Sequence, residues 1–105
     1  MFARVSVYEI ASERMDDAAT SFGSALEEIR ELDGFSEGYF IVSGEGRAKA
    51  ITLWTSRTAM EESRTAASRL RTEAAESVEG AVVSAVEYEV AVHVVGRQVA
   101  VQAKR

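Results

Sequence analysis

Residues 34–54, GFSEGYFIVSGEGRAKAITLW, constrain the fold of this chain more than any other stretch. Two apolar runs, 39–43 and 48–54, flank Gly44-Glu45-Gly46-Arg47, whose glycines can take the positive φ that a tight reversal needs. The pattern predicts a β-hairpin. Both runs carry apolar side chains on both alternating faces: Tyr39 and Ile41 against Phe40 and Val42, then Ile51 and Leu53 against Ala50, Thr52 and Trp54. Strands of that kind need cover on both sides.

The flanks supply one layer of cover. Residues 2–10 alternate Ala3, Val5 and Val7 on an apolar face with Phe2, Arg4, Ser6 and Tyr8 on a mixed one, which predicts a first strand. Ser12 is the expected N-cap of a helix in which Met15, Ala18, Ala19, Phe22, Ala25, Leu26, Ile29 and Leu32 recur at three- and four-residue spacing. Glu13, Asp16 and Asp17 suit its positive end, and Gly34 is the expected stop. Beyond the hairpin, Ser56 or Thr58 caps a second helix, with Thr58 and Glu61 at capping-box spacing. Its buried stripe is Met60, Ser63, Ala67, Leu70, Ala74 and Val78, thin and built mostly from small residues. Gly80 ends it. A long alternation from Val82 to Val95 predicts a last strand, part of it at a sheet edge. Gly96 breaks the pattern, and Val99-Ala100-Val101 suggests a short extra strand before a basic end that should fray.

The order strand, helix, strand, strand, helix, strand gives, with right-handed crossovers, a ferredoxin-like βαββαβ α+β domain over residues 1–95, with 96–105 as a C-terminal extension. It has a four-stranded antiparallel sheet and two helices on one face. The other face would then expose a large apolar patch. A homodimer packed through the open sheet face, a dimeric α+β barrel, covers it. Burying on the order of 1,500 Å2 at ~25 cal/mol per Å2 contributes tens of kcal/mol gross, ample against the costs of association.

Composition removes several classes of chemistry. A formal charge of −5, spread along the chain without acidic blocks, argues against nucleic-acid binding driven by phosphate contacts. The absence of cysteine excludes disulfides, thiolate metal sites and cysteine nucleophiles, and a single histidine rules out a two-histidine metal site within one chain. No metal is expected. No apolar run is long enough to span a membrane and no signal peptide precedes the first strand, so a cytoplasmic protein is the expectation. Gly44-Glu45-Gly46 lacks the lysine and following helix of a phosphate loop, and no serine is paired with a histidine and a carboxylate. The arginines at 57, 64, 69 and 71, mixed with Glu61, Glu62, Glu73 and Glu76, read as a solvated helix face.

Leu32-Asp33-Gly34-Phe35 closing the first helix, the hairpin, Ala50-Ile51-Thr52-Leu53-Trp54 running into Thr55-Ser56-Arg57, and Glu87-Tyr88-Glu89-Val90 together resemble the antibiotic biosynthesis monooxygenase-like family, over about residues 1–95. The resemblance implies a dimeric α+β barrel. It also implies one of three activities: cofactor-independent oxygenation of phenols and quinols, haem degradation, or none known. The haem-degrading branch uses an asparagine on the first strand and a tryptophan and histidine on the second helix. The best-aligned positions are Val5 or Ser6, Ser63 and Glu73, and none matches; the chain has no asparagine at all. Haem degradation is therefore not expected. The expected function is cofactor-independent monooxygenation, needing no cofactor, of a small aromatic or quinoid molecule held between sheet and helices. The alternative is a non-catalytic ligand-binding or structural homodimer.

Candidate ligand-binding residues are Val5, Phe40, Thr52, Trp54, Met60 and Tyr88; no catalytic residue can be assigned. Trp54, the only tryptophan, is either a core aromatic sealing sheet against helix or one wall of a cavity. Ala50 and Thr52 share its parity, and these residues together with the Val5 face are placed toward the helices. Tyr88 either packs at the rim or donates a phenolic hydrogen bond to a ligand. His93, late in the final strand, reads as a surface or interface histidine rather than a base.

Overall fold

The computed structural model describes residues 1–97. Strand β1 (Phe2–Glu9) leads through a 3-10 turn (Ser12–Arg14) into helix α1 (Met15–Ile29). The hairpin is β2 (Phe35–Val42) and β3 (Arg47–Trp54), followed by α2 (Arg57–Glu62), α3 (Arg64–Glu76) and β4 (Ala81–Glu89). The sheet is antiparallel with the order β2-β3-β1-β4, the ferredoxin-like arrangement, and the helices share one face.

Local chemistry explains most of the boundaries. Of the two turn glycines only Gly46 takes a positive φ, +74°. Gly34 has φ +80° and lies so close to α2 that any side chain there would strike the Ala59 methyl. Ser56 caps α2 by accepting a hydrogen bond from the Ala59 amide at 3.1 Å. Ser12 does not cap α1, contrary to expectation: it opens the 3-10 turn, and Arg14 precedes α1 without a side-chain cap bond. The anticipated second helix is interrupted at Ser63. There the hydroxyl donates to the Met60 carbonyl at 2.7 Å, drawing on a backbone acceptor of the preceding turn. The stripe survives the break, and Met60, Ser63, Ala67, Leu70, Ala74 and Val78 are all buried.

The last strand is shorter than the alternation predicts. Glu89 pairs with Phe2, and the Val90 amide donates to the Met1 carbonyl at 2.9 Å, so the partner strand runs out. Residues 91–97, including His93, are exposed and in no strand. Residues 99–101 lie outside the described residues.

Register fixes the two faces. Phe2, Arg4, Ser6 and Tyr8 pair with Trp54, Thr52, Ala50 and Ala48, and this parity meets the helices. The placement of Val5 toward the helices is therefore corrected: Val5 pairs with Ile51 and Val86 on the opposite face. The apolar face of β1 points away from the helices, because the pairing that buries Trp54 carries the mixed face inward. A row of Tyr39, Ile51, Val5 and Val86 crosses the open side, with Tyr88 and Ile41 near it; Tyr39, Ile41, Val86 and Tyr88 are all exposed. Both edge strands carry a register shift. The β1–β4 ladder skips Val83 opposite Val7 and Tyr8, and the β2–β3 ladder skips Ser36 next to Phe35. Among the described residues no helix is long and apolar enough to cross a membrane.

Candidate functional site

A cavity lies between the helix-side face of the sheet and the α1–α3 layer. Its apolar wall comes from the α1 stripe, with Phe22, Leu26 and Ile29, and its floor from Ala50 and Thr52 of β3. Ala67 on α3 is small enough to leave space there. The cavity is small, about 20 Å3, with room for little more than one water. Its polar lining residues are Arg4, Ser6 and Tyr8, at alternate positions of β1, with Arg71 from α3.

Arg4 is buried and fully engaged. Its guanidinium donates to Glu87 Oε2 at 2.8 Å, to the Met60 carbonyl at 2.8 Å and to Ser63 Oγ at 3.2 Å. It also sits 5.8 Å from the Trp54 ring centre. Arg64 donates to both carboxylate oxygens of Glu87, with Nη2 2.5 Å from Oε1 and Nε 3.0 Å from Oε2. The carboxylate thus ties β4 to both α3 and β1. Hydrogen bonds from Arg64, opposed by partial burial and reinforced by Arg4, hold the Glu87 carboxyl down at about 2.

This yields a pH prediction. A carboxyl lowered from 4.5 to about 2 on folding contributes its full stabilisation above pH ~4.5 and loses it as the pH falls through 2. After discounting for the screening of the exposed Arg64, the loss should be ~1–3 kcal/mol. Urea melts between pH 6 and 2 should show it, and Glu87→Gln should flatten that part of the slope.

Tyr8 and Arg71 are engaged differently. Tyr8 is 0% exposed and its hydroxyl finds no hydrogen-bond partner among the described protein groups. Burial pushes that hydroxyl up to about 12, against the pull of Ser6 and of the Arg71 charge. Its ring lies 4.6 Å from Phe22, which stacks on Phe40 at 4.5 Å. Arg71 is half-buried, its Nε also lacks a partner among the described groups, and it forms no ion pair there. Burial lowers its pKa, with Tyr8 and Glu87 opposing and Arg4 adding to the effect.

The structure brings only some of the six sequence candidates together. Thr52 lines the cavity and accepts a hydrogen bond from Trp54 Nε1 at 3.0 Å. Trp54 is wholly buried, edge-on to Phe35 at 5.5 Å, and does not line the cavity, which is the core-aromatic reading of the two offered. Phe40 stands behind the wall through Phe22, and Met60 is a core residue whose carbonyl anchors Arg4. Val5 and Tyr88 lie on the open face, away from the cavity. His93 lies in the exposed segment beyond β4. Sequence reasoning missed Arg4, Ser6, Tyr8 and Arg71. The available signal was a charge and a hydroxyl on alternate positions of β1, and an arginine directly after the buried Leu70.

Fold and site together describe a ferredoxin-like domain with a cavity under its helices. The chain has the fold of the antibiotic biosynthesis monooxygenase-like proteins. A candidate antibiotic biosynthesis monooxygenase from Deinococcus radiodurans matches with TM-score 0.73 and 14% identity, over 91% of this chain and 100% of that one. SnoaB, a cofactor-independent oxygenase from Streptomyces nogalater, matches with TM-score 0.70 and 11% identity, over 88% and 94%. The haem-degrader MhuD from Mycobacterium tuberculosis matches with TM-score 0.67 and 20% identity, over 90% and 99%. No protein-family model matches the sequence, and no curated protein matches it.

Proposed function

We propose that this chain is a homodimeric, cofactor-independent monooxygenase-like protein that takes a small aromatic or quinoid molecule into the cavity between sheet and helices. The observation that supports the reading is the lining between sheet and helices, an aromatic and aliphatic wall of Phe22, Leu26 and Ile29 beside the polar groups of Arg4, Ser6 and Thr52, in a space that must widen to admit a ring. The shared fold with SnoaB supports oxygenation as the chemistry. The role left to the protein is to hold an electron-rich ring, exclude bulk water and favour its deprotonated form. For an anthrone-like substrate the balance closes without any other reductant: the ring CH2 becomes C=O, one oxygen atom of O2 enters the product, and the other leaves as water. The substrate supplies all four electrons.

Haem does not fit. The cavity lining contains no histidine and no other nitrogen ligand for iron, and Ser63 and Glu73, at the positions of the haem branch's tryptophan and histidine, are committed elsewhere. Ser63 bonds to Met60 and Arg4, while Glu73 pairs with Arg69 on the exposed side of α3.

The dimer is proposed through the open sheet face, where Tyr39, Ile41, Val86 and Tyr88 stand exposed beside Val5 and Ile51. Oxygen-electrode measurements with a panel of anthrone-like phenols and quinols test the activity. Uptake stoichiometric with product is expected, and Ala50→Leu, which fills the cavity floor, should cut the rate more than about tenfold. Ligand binding without uptake across the panel would instead establish the non-catalytic binding dimer.

A further inference from the structure

The middle of the open sheet face holds one cation and one anion, set on opposite sides of its central row. That row runs from Tyr39 through Ile51 and Val5 to Val86. Toward the hairpin turn, Ile41, Lys49, Val7 and Ser84 pair across the four strands. Away from it, Glu37, Leu53, Ala3 and Tyr88 do the same. Across these three rows only Lys49 and Glu37 carry a charge, and both are exposed. Neither forms an ion pair among the described residues. Lys49 stands between Ile41 and Val7, whose side chains offer its ammonium no acceptor. Glu37 accepts a hydrogen bond from the Tyr39 hydroxyl on one carboxylate oxygen, which orients it and leaves the second oxygen without a partner among the described groups. The next charges on this face, Arg47 and Glu9, lie opposite each other nearer the turn and offset one another.

We propose that this face docks on a second copy of itself about a two-fold axis running across the strands over the central row, so that Lys49 of each copy meets Glu37 of the partner subunit. This rests on the reading of the chain as a dimer through its open face, and it adds how the two copies are oriented. Turning one sheet over about that axis lays the Lys49 row of one copy on the Glu37 row of the other, with β2 on β2 and β3 on β3. Lys49 then stands one strand across from its counter-ion. Sheets stacked face to face lie about 10 Å apart, a gap that a lysine and a glutamate reaching toward each other can span. Other two-fold stacks lack this match. An axis along the strands sets the two Lys49 side chains next to each other, and stacks with strands crossed at right angles bring together either both Lys49 or both Glu37. Like charges brought together oppose association, so the charge pattern selects the first arrangement. Because β2 is an edge strand, both ion pairs fall at the rim of the interface, where they fix orientation more than they add affinity.

Sedimentation equilibrium at low salt tests the orientation with Lys49→Glu and Glu37→Lys, two reversals at exposed positions, each checked for native circular dichroism. Either variant alone builds a dimer with two like-charged pairs, and its dissociation constant should rise at least about tenfold over wild type. An equimolar mixture forms a heterodimer in which both pairs are opposite again, and its affinity should return to within about threefold of wild type. Rescue by mixing also shows that both variants fold, since a misfolded chain would not be rescued. A dimer that neither reversal weakens, or a weakened pair of variants that mixing does not restore, would overturn the orientation while leaving the open-face dimer standing. A wild-type chain that is monomeric at micromolar concentration would overturn the dimer and the orientation together.

Discussion

Ile51→Glu is expected to convert the proposed dimer to a monomer at concentrations where the wild type would be fully paired. Ile51 is central in the row Tyr39, Ile51, Val5, Val86 on the face that the helices leave open. In a face-to-face dimer a carboxylate there would be buried without a partner, and two-fold symmetry places it in the interface twice. A penalty of several kcal/mol weakens association on the order of a thousandfold or more. Light scattering during size-exclusion chromatography reads the result directly. The substitution leaves the helix-side core untouched, so far-ultraviolet circular dichroism should remain native. A wild-type chain that is monomeric at micromolar concentration, or a variant that stays dimeric, would remove the open face from the interface.

Arg4→Met should be the most damaging single change to stability. The side chain is 4% exposed and links β1 to β4 through Glu87 and to the end of α2 through the Met60 carbonyl and Ser63. Methionine fills much of the volume but leaves the Met60 carbonyl with only the Ser63 hydroxyl and leaves Glu87 leaning on the exposed Arg64. Removing one partner from a buried pair costs ~3–5 kcal/mol, which for a domain of this size lowers the melting temperature by roughly 10–25 °C. Arg4→Lys should recover less than half of the loss, since a single ammonium cannot serve three acceptors in this geometry. Combining Arg4→Met with Glu87→Gln should cost less than the two singles added together, because the residues share one interaction. Thermal melts of the wild type and the four variants check both statements.

Much of the architecture was legible because it rests on periodicity. The stripe from Met60 to Val78 is buried at all six named positions even though the helix breaks in the middle, since a one-residue kink at Ser63 preserves the angular phase of the small residues. The side of β1 that faces the helices was not legible. Ala3, Val5 and Val7 form the more apolar face, and a rule that sends apolar residues toward helices chooses them; the register with β3 reverses the choice. Val5 therefore left the candidate site and Arg4, Ser6 and Tyr8 entered it. Arg71 was hidden by its neighbours, since among Arg64, Arg69, Glu73 and Glu76 nothing in the pattern of charge distinguishes the one arginine that turns inward. The end of β4 was set by another segment altogether. The valines continue beyond Glu89, but a ladder stops where its partner strand begins.

The skipped residues Ser36 and Val83 bear on a different hazard, that of runaway polymerisation. Each belongs to a strand with one unpaired edge, and each adds local twist and breaks the even spacing of amides and carbonyls along that edge. A β-branched border such as Val82, Val83 and Val86 would otherwise offer a flat template onto which further copies could add without limit. With both borders bent, lateral growth loses its register, while the broad valine, isoleucine and tyrosine surface remains intact. On the proposed dimer, association is thereby steered toward stacking of two sheets, a geometry that closes after a single partner, and away from fibre formation.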